Sequence, residues 1–153
     1  MKETDARILL ALQADSSGSI AELAQRVGLS TSACHRRVRQ LETSGLIERY
    51  VARLGREALG LSLEVFVDIS LHSQSQESLE AFEIAVTNSP AILECHLMAG
   101  QADFLLRVAA RSVDDFDQIH RQTLAKLPGV SSMHSNFVLR STKTWQGYPV
   151  ALS

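Results

Sequence analysis

Three observations predict an α+β chain built as two units. A short capped helix, a glycine stop and a second helix crowded with arginine fill residues 19–45. A glycine-bearing stretch at 54–61 then interrupts the hydropathy pattern. Beyond it the patterned segments run strand, helix, strand, strand, helix, strand. At 153 residues and 45% hydrophobic, the chain can bury one ordinary core or two small ones.

The first helix is expected from about Thr4 to Ala14, where Ile8, Leu9, Ala11 and Leu12 form an apolar stripe. Ser17-Gly18 breaks it. Ser19-Ile20-Ala21-Glu22 reads as a capping box, in which Ser and Glu side chains satisfy free backbone N–H groups reciprocally. That helix turns Leu23, Ala24 and Val27 inward and stops at Gly28, the residue type that most easily takes the left-handed turn. Ser30 is an N-cap for a third helix, which runs to about Ser44 before Gly45 ends it. Its Cys34, Val38 and Leu41 share one face, and Ser32, His35, Arg36 and Arg39 share the opposite one. Glu48 to Arg53 is expected as a basic strand, the wing of an N-terminal winged helix-turn-helix whose third helix enters the major groove.

The rear segments predict a ferredoxin-like βαββαβ domain. Leu63, Val65, Val67, Ile69 and Leu71 alternate with polar or exposed positions, as in a strand with one buried face. Leu79, Phe82 and Val86 mark a helix, and Ile92 to Met98 a second strand. Gly100 to Asp103 is a turn and Phe104 to Ala109 a third strand. Ser112 caps a helix with Val113, Phe116, Ile119, Leu124 and Leu127 inward, and Val130 to Arg140 is the fourth strand. The expected domains are therefore 1–53, a linker at 54–61, and 62–153. Two helices cover only one face of such a sheet, so the open face, bearing Phe66, calls for a second copy stacked upon it.

The net charge of −2 alone would argue against nucleic acid, but its distribution points the other way. Up to Leu54 there are eight Lys/Arg against six acids; totals of 15 and 17 leave seven and eleven beyond. A basic head on an acidic body places phosphate attraction at one end. Arg36 is the best candidate for reading a base edge, with Ser30, Thr31, Ser32 and His35 beside it near the helix N-terminus. Arg39 suits the DNA backbone, as do Arg49 and Arg53 from the wing. Arg37 has two readings, a phosphate contact or a tie to an acid of its own domain. A solvated arginine-rich helix is the plain alternative to all of this. The capped helix, the turn spacing and the basic strand favour double-stranded DNA.

Apolar runs are too short to span a bilayer, and Met1 to Leu12 carries Glu3 and Asp5 without a basic leader, so neither membrane nor secretion is expected. Cys34 and Cys95 sit in apolar patterns and read as reduced packing residues. Cys95 and His96 would point to opposite faces of a strand, and His120 and His134 lack ligand spacing. No metal and no cofactor are expected.

Four blocks in order, ELAQRVGLS, RRVRQLETSGLI, ECHLMAGQADFLLRV and LPGV, resemble the Lrp/AsnC, or feast/famine, family of prokaryotic transcription regulators over essentially the whole chain. The resemblance implies a cytoplasmic, nucleoid-associated, non-enzymatic DNA-binding regulator with a RAM/ACT-like rear domain. It implies homodimers, with octameric discs as a further assembly, and amino-acid effectors held between neighbouring dimers. In such proteins a Gly-x-x-Asp turn and hydroxyls of the last strand help line the pocket. Here these are Gly100, Gln101, Ala102 and Asp103, with Met133 and Ser135. Backbone N–H groups of the turn could hold a carboxylate and Asp103 an ammonium. Taken without the family, Gly100 and Asp103 read equally as a hairpin turn with a solvated acid. Family members often carry Thr where Met133 stands, which points to a more apolar ligand or to none. Two alternatives are a ligand-independent architectural DNA-binding protein and a sirohaem-decarboxylase-like enzyme using His96 and His134.

Overall fold

The first helix starts at Glu3, one turn of acidic residues suiting its N-terminus, and ends at Ala14 (α1, Glu3–Ala14). The computed structural model describes residues 1–151, so the last two positions of the expected second domain lie outside the described residues. After α1 the capping box forms: Ser19 Oγ accepts from the Glu22 N–H at 3.2 Å, and Glu22 Oε2 accepts from the Ser19 N–H at 2.6 Å. It starts α2 (Ile20–Val27), which stops where Gly28 takes φ 72° and Leu29 N–H returns to Ala24 O at 2.9 Å. Ser30 Oγ then accepts from Ala33 N–H at 3.3 Å and opens α3 (Thr31–Thr43). Ile8, Leu23, Ala24, Val27, Cys34, Val38 and Leu41 close a core between the three helices.

Residues 46–55 form no strand, contrary to the wing expected over Glu48–Arg53. A strand needs a ladder partner for its N–H and C=O groups, and among the described residues none pairs with this segment. It is an extended, exposed connection, with Tyr50 Oη donating to Glu42 Oε1 at 3.1 Å. The glycine-bearing stretch after it carries a single 3₁₀ turn, Glu57–Leu59.

The second unit is a four-stranded antiparallel sheet in the order β2-β3-β1-β4, made from β1 (Leu63–Leu71), β2 (Ile92–Leu97), β3 (Phe104–Ala110) and β4 (Val130–Phe137). Helices α4 (Gln76–Thr87) and α5 (Val113–Gln122) complete the βαββαβ order. Strict alternation on the two central strands buries Val65, Val67, Ile69 and Leu71 opposite Val108, Leu106, Phe104 and their neighbours. Phe82 of α4 stacks on Phe104 with ring centroids 4.5 Å apart. Val113 is 63% exposed rather than inward, because it is the first residue of α5 and precedes the turn that meets the sheet. By contacts the chain divides into Met1–Arg53 with the tail from Thr142, and Leu54–Ser141. The tail therefore groups with the first unit, where the sequence reading put all of 62–153 in the second. Its partners there are Gln13 and Arg53.

Register places Glu64, Phe66 and Asp68 of β1, Leu105 and Arg107 of β3, Glu94 and His96 of β2, and His134 and Asn136 of β4 on the face away from the core. Arg107 holds this face together. Its Nε donates to Glu64 Oε1 at 2.6 Å and its Nη1 to Glu94 Oε1 at 2.6 Å. Burial works against the Arg107 charge, but the two carboxylates outweigh it and raise the pKa. Burial likewise pushes the Glu94 carboxyl up, and Arg107 together with His96 more than reverses this, so the carboxyl sits below its ordinary 4.5. A lowered native pKa contributes stability that is complete above the ordinary value and lost as pH falls through the lowered one. Glu94→Gln is therefore expected to remove part of the acid-side loss of stability below pH 4.5. Urea midpoints of the two proteins across that range check it; parallel curves would refute it.

Candidate nucleic-acid interface and effector turn

The position of α3 follows from two stops, Gly28 before it and Gly45 after it, both at positive φ. Between them Cys34, Val38 and Leu41 are buried, which fixes the roll of the helix. The opposite face then exposes Ser32, His35, Arg36, Arg39 and Gln40. Its first turn carries no acid, so the positive end of the helix dipole is unopposed there.

Within that face the side chains differ in what already occupies them. Among the described residues, Thr31, His35, Arg36 and Arg49 make no side-chain hydrogen bond or ion pair. Ser30 is used as the cap and lies 3.3 Å from the Ser32 hydroxyl. Arg39 leans on Glu42 at 3.4 Å with its side chain 71% exposed, so it stays free to swing. Arg37 is different. It is half-buried and sits 3.4 Å from Asp5 Oδ1, which supports the internal one of its two readings. Arg53 donates to the Trp145 carbonyl in the tail. Sequence reasoning missed Gln40, which lines a shallow groove on α3 with His35, Arg36, Arg39 and Thr43. Its position four residues after Arg36 was the available signal.

The Gly100–Asp103 turn joins β2 to β3. Met98 N–H donates to Asp103 O at 2.8 Å, and Asp103 N–H to Ile69 O at 2.9 Å. The Asp103 carboxylate is half-buried and engaged: Oδ2 accepts from Leu71 N–H at 2.7 Å and Oδ1 from Gln74 Nε2 at 2.6 Å. It is no freely solvated acid, for it fastens the exit of β1 to the turn. Each oxygen retains a second lone pair for a further donor. Gly100 and Gln101 are exposed. Met133 pairs with Ile69 across β1, so it and Asp103 share one end of that strand, and Ser135 follows opposite Val67. Met133 packs on the core beneath the helices.

Both cysteines are free thiols, and burial raises the pKa of each. Among the described residues no cluster of three or more His, Cys, Asp or Glu could hold a metal, and no helix is long and apolar enough to cross a membrane.

The sequence matches a family model of the AsnC-type helix-turn-helix domain over residues 1–42 and one of the Lrp/AsnC ligand binding domain over 64–147. It is 39% identical to the Bkd operon transcriptional regulator of Pseudomonas aeruginosa, covering 90% of each chain. It is 39% identical to the leucine-responsive regulatory protein of Escherichia coli, over 91% of this chain and 85% of that one. A Neisseria meningitidis transcriptional regulator solved as an L-methionine complex superposes with a TM-score of 0.92, at 33% identity, over 97% and 96% of the two chains. An AsnC family regulator of Agrobacterium tumefaciens gives 0.91 at 35% identity, over 97% of both. Fold, outward basic helix and matches together define a DNA-binding transcription regulator with an effector-binding domain. The chain belongs to the Lrp/AsnC family.

The Asp5 contact makes Arg37 a matter of stability. Asp5 Oδ1 is buried and has no hydrogen bond, with Arg37 as its ion partner. Arg37→Ala is expected to cost the three-helix unit about 1–3 kcal/mol by leaving that oxygen unpaired. Urea denaturation of the DNA-free protein measures this; an unchanged midpoint would return Arg37 to the pool of DNA contacts.

Proposed function

We propose that this regulator reads promoter half-sites as a homodimer and changes its DNA binding on taking up an amino acid. The observation that carries the DNA reading is the outward face of α3, where Arg36, His35 and Thr31 are exposed and have no side-chain partner among the described residues. Arg36 contacts a base edge, flanked by Ser30, Thr31, Ser32 and His35. Arg39, Arg49 and Arg53 meet phosphates.

The effector reading rests on the L-methionine carried by the Neisseria meningitidis neighbour and on the Gly100–Asp103 turn. Exposed N–H groups of Gly100 and Gln101 hold the carboxylate, Asp103 takes the ammonium, and Ser135 offers a hydroxyl. Met133 fits a ligand with an apolar side chain. The dimer stacks open sheet faces. Arg107 already has two carboxylates within its own chain, so a second copy can cover the face without orphaning a charge. The same surfaces leave the octamer as a further level. The protein works in the cytoplasm, without membrane, metal or cofactor, and performs no catalytic step.

Two measurements test this. Arg36→Ala is expected to lose about 1–3 kcal/mol of affinity for the protein's own promoter DNA and little for random duplex. Unchanged discrimination between the two would remove Arg36 from base reading. In a thermal-shift screen of the twenty amino acids, L-methionine and branched-chain relatives are expected to raise the melting temperature by mass action, with about 2.7 kcal/mol of added stability at a hundred times Kd. Ser135→Ala and Asp103→Asn should reduce that rise. A flat response to every amino acid would replace this reading with a ligand-independent DNA-binding protein.

A further inference from the structure

The chain leaves its DNA-reading unit at Arg53, builds the whole effector domain, and comes back at Thr142. The returning tail lies against the end of α1. Gln13 Nε2 donates to the Tyr148 carbonyl at 3.0 Å, and Gln13 Oε1 accepts from the Tyr148 N–H at 2.6 Å. One side-chain amide thus satisfies both backbone groups of one residue, as a neighbouring strand would. Gly147 has φ 104°, and a Cβ there would overlap the Gln13 amide, so the close approach requires glycine. Trp145 packs edge-on against Tyr148, 4.7 Å between centroids, and its carbonyl accepts from Arg53. Trp145 and Tyr148 are 61% and 74% exposed, so polar contacts rather than burial hold this tail.

Among the described residues the segment Glu48–Arg53 has no ladder partner, yet it carries Arg49 and Arg53. Tyr50–Glu42 anchors its middle, and Arg53–Trp145 anchors its end. We infer that residues 142–151 are a clasp, closed by Gln13 and Gly147, that positions Arg53 for a DNA phosphate in place of the missing wing strand. The inference rests on the DNA-reading function and adds positioning residues to it, with Gln13 and Gly147 acting through the tail and touching no DNA themselves.

The test uses the full-length protein, Gln13→Ala, Gly147→Ala and a chain ending at Ser141. Trp145 is the only tryptophan, so its fluorescence reports the tail without a label. In both point variants acrylamide should quench Trp145 more strongly, and the amides of 142–151 should exchange faster, with α2 and α3 protection unchanged. In all three variants the salt dependence of promoter binding should flatten by about 0.9 in log–log slope, one phosphate contact. Arg53→Ala should flatten it equally, and combining it with Gln13→Ala should add nothing. A slope equal to wild type in variants whose tail is released would overturn the positioning role. Unaltered quenching and exchange in both point variants would overturn the clasp itself. Failure of the wild-type protein to bind duplex DNA would instead strike the DNA-reading function, a separable result.

Discussion

Two helices must cover a four-stranded sheet in the second unit, and that count leaves one face closed and one open. The closed face follows directly from alternation on β1 and β3, whose inward residues are nearly all fully buried. Burying side chains of this size contributes about 1.5–3 kcal/mol each, so the register of the two central strands is strongly specified. The open face cannot be built the same way, because a lone chain would then expose an apolar sheet. It is mixed instead. Phe66 and Leu105 offer apolar surface, and Arg107 between Glu64 and Glu94 keeps the rest polar yet internally neutralised. A surface with its charges already paired can be solvated in one copy and covered in two.

The first unit obeys a different constraint, which is punctuation. Three short helices share few core residues, and each must stop on time for the next to pack. Gly28 and Gly45 take left-handed conformations that side chains resist, and the Ser19–Glu22 and Ser30 caps fix the starts. Together these four points set where α3 begins and ends, and burial of Cys34, Val38 and Leu41 sets its roll. The outward residues are then determined by the 100° step of the helix. Neighbouring Arg36 and Arg37 receive opposite fates from that single step: one projects outward, exposed, and the other turns toward Asp5. With Lys143 of the tail included, this unit holds nine Lys/Arg against six acids, and the other holds six against eleven. Such a separation favours approach to DNA by the basic end.

Periodicity and caps were legible in the sequence because they act over three or four residues. Hence the order of elements, the capping box and the buried stripes could be read ahead of the structure. The absent wing was not legible, since a basic, β-compatible run reads as a strand whether or not a partner exists. Val113 misled for a similar reason: apolar spacing does not say at which turn a helix first touches its sheet. The tail left no trace, because Gln13 and Tyr148 are 135 positions apart and the Gln13 side chain meets backbone groups of Tyr148 that every residue type but proline possesses. The role of Asp103 was half legible. Its turn position was plain, but its two hydrogen bonds to Leu71 and Gln74 arise only when β1 ends beside it.

Those bonds bear on how an effector could matter to DNA. A ligand shifts an equilibrium only by the difference in its affinity for two states, so it must touch groups whose arrangement differs between them. Asp103 holds the exit of β1, and β1 is the strand against which β4 is registered, with Ile69 facing Met133 and Val67 facing Ser135. An ammonium that drew on Asp103 would share its two oxygens with the Leu71 N–H and the Gln74 amide, taking up the lone pairs that remain. The register of β1 on β4 already contains an irregularity between Ser70 and Leu71, beside the N–H that Asp103 holds. From there β4 runs to Phe137, beyond which the chain leaves the sheet for Thr142 and the unit that carries α3. The other covalent route, through residues 54–61, joins β1 at its start, at the opposite end of the strand from Leu71. β4 is thus the strand that leads on from the Asp103 end of β1 toward the unit that carries α3.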